Sequence, residues 1–230
     1  MHNLSKFEEK LGVAFKNQDH LLQALTHRSY LNENPTFRLG HNERLEFLGD
    51  AVLELVVTEE LYEKFPDKPE GDLTSFRAAL VNAKILSDVA LNLGVNDFLM
   101  LSRGEAKDTG RARQYILANA FEAIVGAIYL DQGYAGAKKF IDSCVMNLLE
   151  DVLNKKLYKD PKSLFQEEAQ ERVGITPNYE VTREAGPDHD KIFVVGVYLG
   201  KELVAEGEGP SKQIAQESAA RNALEAKKWG

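Results

Sequence analysis

The stretch from His41 to Val57, HNERLEFLGDAVLELVV, decides how the first two thirds of the chain are read. Wound as an α-helix, it places Glu43, Glu46 and Asp50 within about 60° of one another and sets Leu45, Leu48, Val52 and Leu55 on the far side. It therefore predicts an amphipathic helix with three carboxylates along one stripe. Glu54 extends that stripe, so a solvated acidic face explains the periodicity as well as a cation site does. Gly49 weighs against the plain surface: a mid-helix glycine costs about 1 kcal/mol relative to alanine, which suggests that something packs close to the backbone beside Asp50.

Working outward, apolar residues recur at helical spacing from Leu4 to about Leu157, as in Leu21, Leu22, Leu25 and later Leu80, Val81, Ile85, Val89 and Leu93, with Gly94 as a helix stop. The expectation is an all-α domain. Within it, Ile116 to Leu130, ILANAFEAIVGAIYL, holds a single charge, Glu122, with Asn119 one turn before it on the same face. A helix apolar nearly all round should be buried, and a lone buried carboxylate needs a cation, a raised pKa or a metal. An ion pair with Arg44 or Arg77 and a metal ion both meet that need. Together the two stretches offer Glu43, Glu46, Asp50, Glu122 and the amide oxygen of Asn119, all hard oxygen ligands that select Mg²⁺ or Mn²⁺ over zinc. Such a centre suits phosphoryl transfer, because the metal activates water and stabilises charge on the leaving oxygen. Glu70 in PEGDLTSFRAAL is a further candidate, although an acidic helix start capped by Asp72 accounts for it equally.

The pattern changes at Lys155–Lys162, KKLYKDPK, which divides the chain into residues 1–154, a linker 155–160 and a second domain 161–230. Asp160 caps and Pro161 starts a helix running through Ser163, Phe165, Ala169 and Val173 to Gly174. Strand-like segments follow around Tyr179 and Val181, at Ile192–Leu199 and at Leu203–Ala205, separated by a loop from Glu184 to Asp190 and a turn at Gly200–Glu202. An alanine-rich helix spans Gln213 to Lys228, so the second domain is α+β with the order α-β-β-β-α. Gly207–Lys212, GEGPSK, could seat a phosphate where backbone amides, Ser211 and Lys212 meet a helix start; a glycine-rich turn with a serine cap explains the same residues.

Composition restrains the choice of partner. The chain has 28 Lys+Arg against 36 Asp+Glu, a formal charge of -8, and both domains are acidic, which argues against wrapping nucleic acid through bulk positive charge. One cysteine, Cys144, excludes an internal disulfide framework and a thiolate zinc site. The charged first residues and the lack of a run of about 18 apolar residues predict a cytoplasmic protein with no membrane partner.

On these residues the chain resembles ribonuclease III, the bacterial double-stranded-RNA endonuclease. The matching blocks are NERLEFLGDAVL, ALTHRSY at Ala24 to Tyr30, EGDLTSFRAALV at Glu70 to Val81, LSRGE at Leu101 to Glu105 and ILANAFEAIVGAIYLD at Ile116 to Asp131. From DPKSLFQEEAQ through GPDHDKIF to GEGPSKQIAQESAARNAL the remainder is similar to a double-stranded-RNA-binding domain. The resemblance implies that Glu46, Asp50, Asn119 and Glu122 hold the metal, with Asp50 and Glu122 the main catalytic pair. It implies that Glu43 and Glu70 support RNA or subunit contacts, and that no organic cofactor is used. It further implies a homodimer whose two centres cut opposite strands, leaving 5′-phosphate and 3′-hydroxyl ends with a short 3′ overhang, on ribosomal RNA precursors and structured messenger RNA. In the binding domain it assigns Ser163, Gln166 and Gln170 to one minor groove, His189 to the next, and Ser211 and Lys212 to the phosphates between, so that A-form shape rather than sequence is recognised. Two departures stand out. Asn119 replaces the family's usual aspartate, which should raise the Mg²⁺ requirement and leaves a dsRNA-binding protein with an impaired nuclease centre as the alternative. The family's lysine cluster is thinned to Lys212 beside Gln213 and Gln216, which predicts weak binding with a shallow salt dependence.

Overall fold

The computed structural model describes residues 4–187 and 191–229. The chain divides into two compact units, Met1–Leu153 and Asn154–Gly230. In the first, three short helices, α1 (Leu4–Leu11), α2 (Gln18–Ala24) and α3 (Arg28–Glu33), precede the long α4 (Glu43–Lys64). Then come α5 (Glu70–Leu80), α6 (Ala83–Asn92), the longest helix, α7 (Arg111–Cys144), and α8 (Leu149–Asn154). The apolar run expected to continue from Leu80 to Leu93 is broken: α5 ends at Leu80, and Asn82 caps α6 by accepting from the Ile85 amide at 3.1 Å. Gly94 stops α6 in the left-handed region at φ 74°, as expected.

The core of this unit forms where α4 packs along α7. α7 buries Ile116, Leu117, Phe121, Ile124, Val125 and Ile128, in keeping with a sequence apolar on almost every side. It breaks at Gly133, where φ is 73° and ψ -170°. Beyond the break, the Tyr134 hydroxyl donates to Glu59 and the Lys138 ammonium to Glu60, fixing the second half against the C-terminal end of α4. Asp131, just before the break, accepts from the backbone amides of Lys16 and Asn17 at 2.9 and 2.8 Å, which ties the start of α2 to the same point.

The second unit contains α9 (Pro161–Val173), strands β1 (Asn178–Ala185), β2 (Ile192–Leu199) and β3 (Glu202–Gly209), and α10 (Lys212–Lys227). The strands form an antiparallel sheet in the order β1-β2-β3. The α-β-β-β-α order is as the sequence predicts, and Asp160 caps α9 through the Ser163 amide at 2.9 Å. Residues 155–159, expected to be linker, are turns held to α9: Lys156 donates to the buried Glu168 at 2.7 Å, and Lys159 pairs with Glu167.

Two strand ends differ from expectation. Glu184 and Ala185, expected in a loop, continue β1, pairing with Phe193 and Ile192. Gly207–Gly209, expected as a turn, completes β3. The reason is packing: a Cβ on Gly207 would lie 2.0 Å from the Ala219 amide nitrogen, and one on Gly209 2.7 Å from that of Ala215. These glycines let the alanine face of α10 lie directly on the sheet, above Val195 and Val197.

Candidate functional site

Gly49 of α4 and Gly126 of α7 lie where the two helices cross. A Cβ on Gly49 would stand 1.7 Å from the Glu122 carbonyl oxygen, and one on Gly126 2.2 Å from that of Leu45. The backbones are therefore in contact, and the contact is what the mid-helix glycine signals in the sequence. Gly126 is its partner, not among the residues singled out from the sequence, although a second glycine inside a buried apolar run carries the same signal.

This crossing brings Glu46 and Asp50 of α4 beside Asn119 and Glu122 of α7. Glu122 is partly rather than fully buried, yet burial followed by repulsion from Asp50 and Glu46 pushes its carboxyl up to about 8. Burial, then the charge of Glu43, raises Glu46 as well, while a hydrogen bond from Asn119 to its carboxylate acts the other way. Among the described residues neither Arg44 nor Arg77 pairs with Glu122; Arg77 instead donates to the Thr58 hydroxyl at 2.9 Å. The ion-pair explanation of Glu122 is thus not realised among the described residues, and its raised pKa meets the cost of burial instead.

The remaining acids are more peripheral. Glu43 opens α4 and is approached by Arg28 at 3.4 Å and by His41 Nδ1 at 3.8 Å; nothing in the spacing of ALTHRSY singles out Arg28 for this contact. Glu70 starts α5, is exposed, accepts from the Thr74 hydroxyl at 2.8 Å and is not among the charges acting on Glu46 or Glu122. Asp72 does not cap that helix; Pro69 holds the cap position and Asp72 pairs with Lys68 at 3.5 Å. The apolar side of α4 also differs from expectation. Leu45 and Val52 are buried, but Leu55 is 57% exposed, because the buried side is centred on Gly49. With Phe47 at 82% and Tyr62 at 73%, Leu55 forms an apolar strip open to solvent.

The chemistry of the donor set fits a hard divalent cation: carboxylates and one amide, with a partly buried carboxyl that a nearby cation would ionise. Among the described residues no three His, Cys, Asp or Glu side chains converge closely enough to form a ready-made cage. The acids share an electrostatic neighbourhood and stand apart, as like charges do.

In the second unit, Ser163, Gln166 and Gln170 are all exposed at i, i+3 and i+7 of α9, hence on one face. Gln170 donates to the Thr176 hydroxyl at 2.6 Å. Ser211 is the N-cap of α10, accepting from the Ile214 amide at 3.2 Å, so its hydroxyl does the work of the simpler reading. Lys212 is exposed, with its ammonium 5.7 Å from the Phe193 ring centroid and 3.9 Å from Glu184. His189 lies outside the described residues. No helix among the described residues is long and apolar enough to cross a membrane.

Comparison with known proteins agrees with this layout. Residues 17–149 match the family model described as ribonuclease-III-like, and residues 161–227 the double-stranded RNA binding motif. Ribonuclease 3 of Borreliella burgdorferi is 44% identical over 223 residues, covering 97% of this chain and 91% of that protein. Ribonuclease 3 of Bdellovibrio bacteriovorus is 46% identical over 221 residues, covering 96% and 94%. Among solved structures, the nuclease domain of ribonuclease III from Campylobacter jejuni superposes with a TM-score of 0.58 at 43% identity, over 63% of this chain and 97% of that one. A helical unit with an acidic crossing, a second unit with the α-β-β-β-α order, and relatives that match nearly end to end lead to one conclusion: the chain belongs to the ribonuclease III family, endoribonucleases of double-stranded RNA.

Proposed function

We propose that the protein hydrolyses double-stranded RNA with Mg²⁺, for which Mn²⁺ substitutes, held by Glu46, Asp50, Asn119 and Glu122. The observation that carries this reading is Glu122, partly buried next to Asp50 and Glu46, its carboxyl pushed up to about 8 and paired with no cation among the described residues. When bound, the metal supplies an activated water and neutralises charge on the leaving oxygen. The protein's own groups prepare for it. The Asn119 amide holds the Glu46 carboxylate, and Glu122 keeps its proton near neutral pH until a cation offsets its neighbours. Asp50 and Glu122 form the catalytic pair, with Glu43 and Glu70 in support. Repulsion among the uncompensated acids explains why they stand apart, and a cation between them would draw them together.

A homodimer is supported by the exposed apolar side chains of Phe47, Leu55 and Tyr62 along α4, which a second subunit could cover. Glu70 shares a cleft with Tyr62 and is not among the charges acting on Glu46 or Glu122, which supports a role at subunit contacts rather than in holding the metal. The solved Campylobacter jejuni domain is described as having a region involved in dimer formation. Two centres then cut opposite strands to leave 5′-phosphate and 3′-hydroxyl ends with a short 3′ overhang. Ser163, Gln166 and Gln170 meet one minor groove and His189 the next, while Ser211 and Lys212 meet the phosphates between. We place the reaction in the cytoplasm, on ribosomal RNA precursors and structured messenger RNA. Incubation with a long RNA duplex and Mg²⁺, with product ends mapped, tests this. Staggered cuts abolished by chelator are expected, and duplex bound but left intact would favour the dsRNA-binding alternative that Asn119 raises.

A further inference from the structure

The thinned lysine cluster of α10 leaves Gln216 one turn beyond Lys212, on the same face of the helix. That position is not without a cation. Lys162, from the first turn of α9, reaches across and donates from its ammonium to Gln216 Oε1 at 2.6 Å. Its ammonium also lies 5.1 Å from the centroid of the Tyr179 ring, whose hydroxyl has no hydrogen-bond partner among the described residues. Among the described residues no carboxylate lies within ion-pair distance of Lys162, so its charge is held by neutral groups alone. Lys212, by contrast, faces Glu184 at 3.9 Å, and Glu184 is also shared with Lys191 at 3.1 Å.

We propose that Lys162 is a phosphate-binding residue of this protein, supplying from α9 the second cation that the first two turns of α10 lack and gripping the RNA backbone one turn along from Lys212. The geometry favours that use over a purely structural one. A lysine normally loses rotamer freedom when it is fixed, and here the fixing is done by a ring face and an amide oxygen that leave its charge without a carboxylate partner. An ammonium held in that way is prepaid in entropy for an anion, and the N-terminal turn of α10 beside it adds backbone amides of the same polarity. The inference rests on the reading that this face of α10 meets phosphates.

The test is the salt dependence of binding of an RNA duplex to the full chain, with chelator present so that no cleavage intervenes. Each phosphate contact contributes a slope of about 0.9 in log affinity against log salt, the duplex DNA value being taken for RNA. Lys162→Gln is expected to lower the slope by about one contact and to weaken binding alike on duplexes of different sequence, with Lys162→Arg keeping the slope. Gln216→Glu, which leaves the lysine in place and neutralises it, should lower the slope in the same way, and serves if Lys162→Gln unfolds. An unchanged slope in folded Lys162→Gln or in Gln216→Glu overturns the proposal. Lys212→Gln separates the two levels: if it lowers the slope while Lys162→Gln does not, only this inference falls. If neither lowers it, the phosphate-seat reading of α10 falls too.

Discussion

At the α4–α7 crossing, carboxylates share one neighbourhood with no cation paired to Glu122 among the described residues, and its carboxyl is pushed up to about 8. On the α9–α10 side of the second unit the charges are more nearly settled: Glu168 lies between Lys156 and Arg172, Glu184 between Lys191 and Lys212, and Ser211 is spent as a cap. The first region stores electrostatic cost that a bound cation would relieve, and the second offers a surface whose charges are largely paired within the unit. Chemistry and affinity are therefore divided between units, and the net charge of -8 says more about the first than about the second.

Breaking the first region should have the larger consequences. Glu122→Gln keeps the shape of the side chain and removes a metal-binding oxygen charge; cleavage should fall by about a thousandfold, the worth of several kcal/mol of transition-state stabilisation. RNA binding should persist, and a proportional loss of binding would contradict the division. Gly49→Ala attacks the crossing itself. With a Cβ 1.7 Å from the Glu122 carbonyl oxygen the helices must separate, so a loss of about 1–3 kcal/mol in chemical unfolding and a marked fall in cleavage are expected. Wild-type stability in that variant would show that the approach of the two backbones is not required.

Asn119→Asp sharpens the same comparison in the favourable direction. A fourth charge in the donor set should reduce the Mg²⁺ concentration at half-maximal cleavage by about tenfold, and identical titration curves would remove Asn119 from the set. Proton linkage gives a subtler effect. Glu122 binds its proton more tightly folded than unfolded, so its contribution to stability is present below the ordinary value of 4.5 and is lost as pH rises through about 8. The thermal unfolding temperature of the metal-free protein should fall as pH rises across that window, and this pH dependence should flatten in Glu122→Gln. In the second unit, Lys212→Gln should weaken RNA binding and lower the salt slope by about one contact, with no change in cleavage at saturating Mg²⁺ and RNA.

Much of this was legible in the sequence. The helical period of His41–Val57 and the single charge in Ile116–Leu130 locate both halves of the site, and Gly49 announces the close crossing. Asp160, Pro161 and Gly174 mark α9 at both ends because capping chemistry is local. What could not be read depended on contacts between distant segments. Leu55 shares the apolar period of α4 yet faces solvent, since period alone does not say where the buried side is centred. Gly207 and Gly209 look like turn residues until α10 is laid against β3. Lys162 is an ordinary polar residue in sequence and becomes notable only where α9 passes Gln216.

The central claim is that Glu46, Asp50, Asn119 and Glu122 bind a divalent cation that discharges the crossing. Calorimetric titration of the metal-free protein with Mg²⁺ at pH 7, repeated in buffers of different ionisation enthalpy, reads binding and proton release together. Binding accompanied by proton release, with both lost in Glu122→Gln, is the predicted result; binding unchanged in that variant, or with no proton released, would contradict the account.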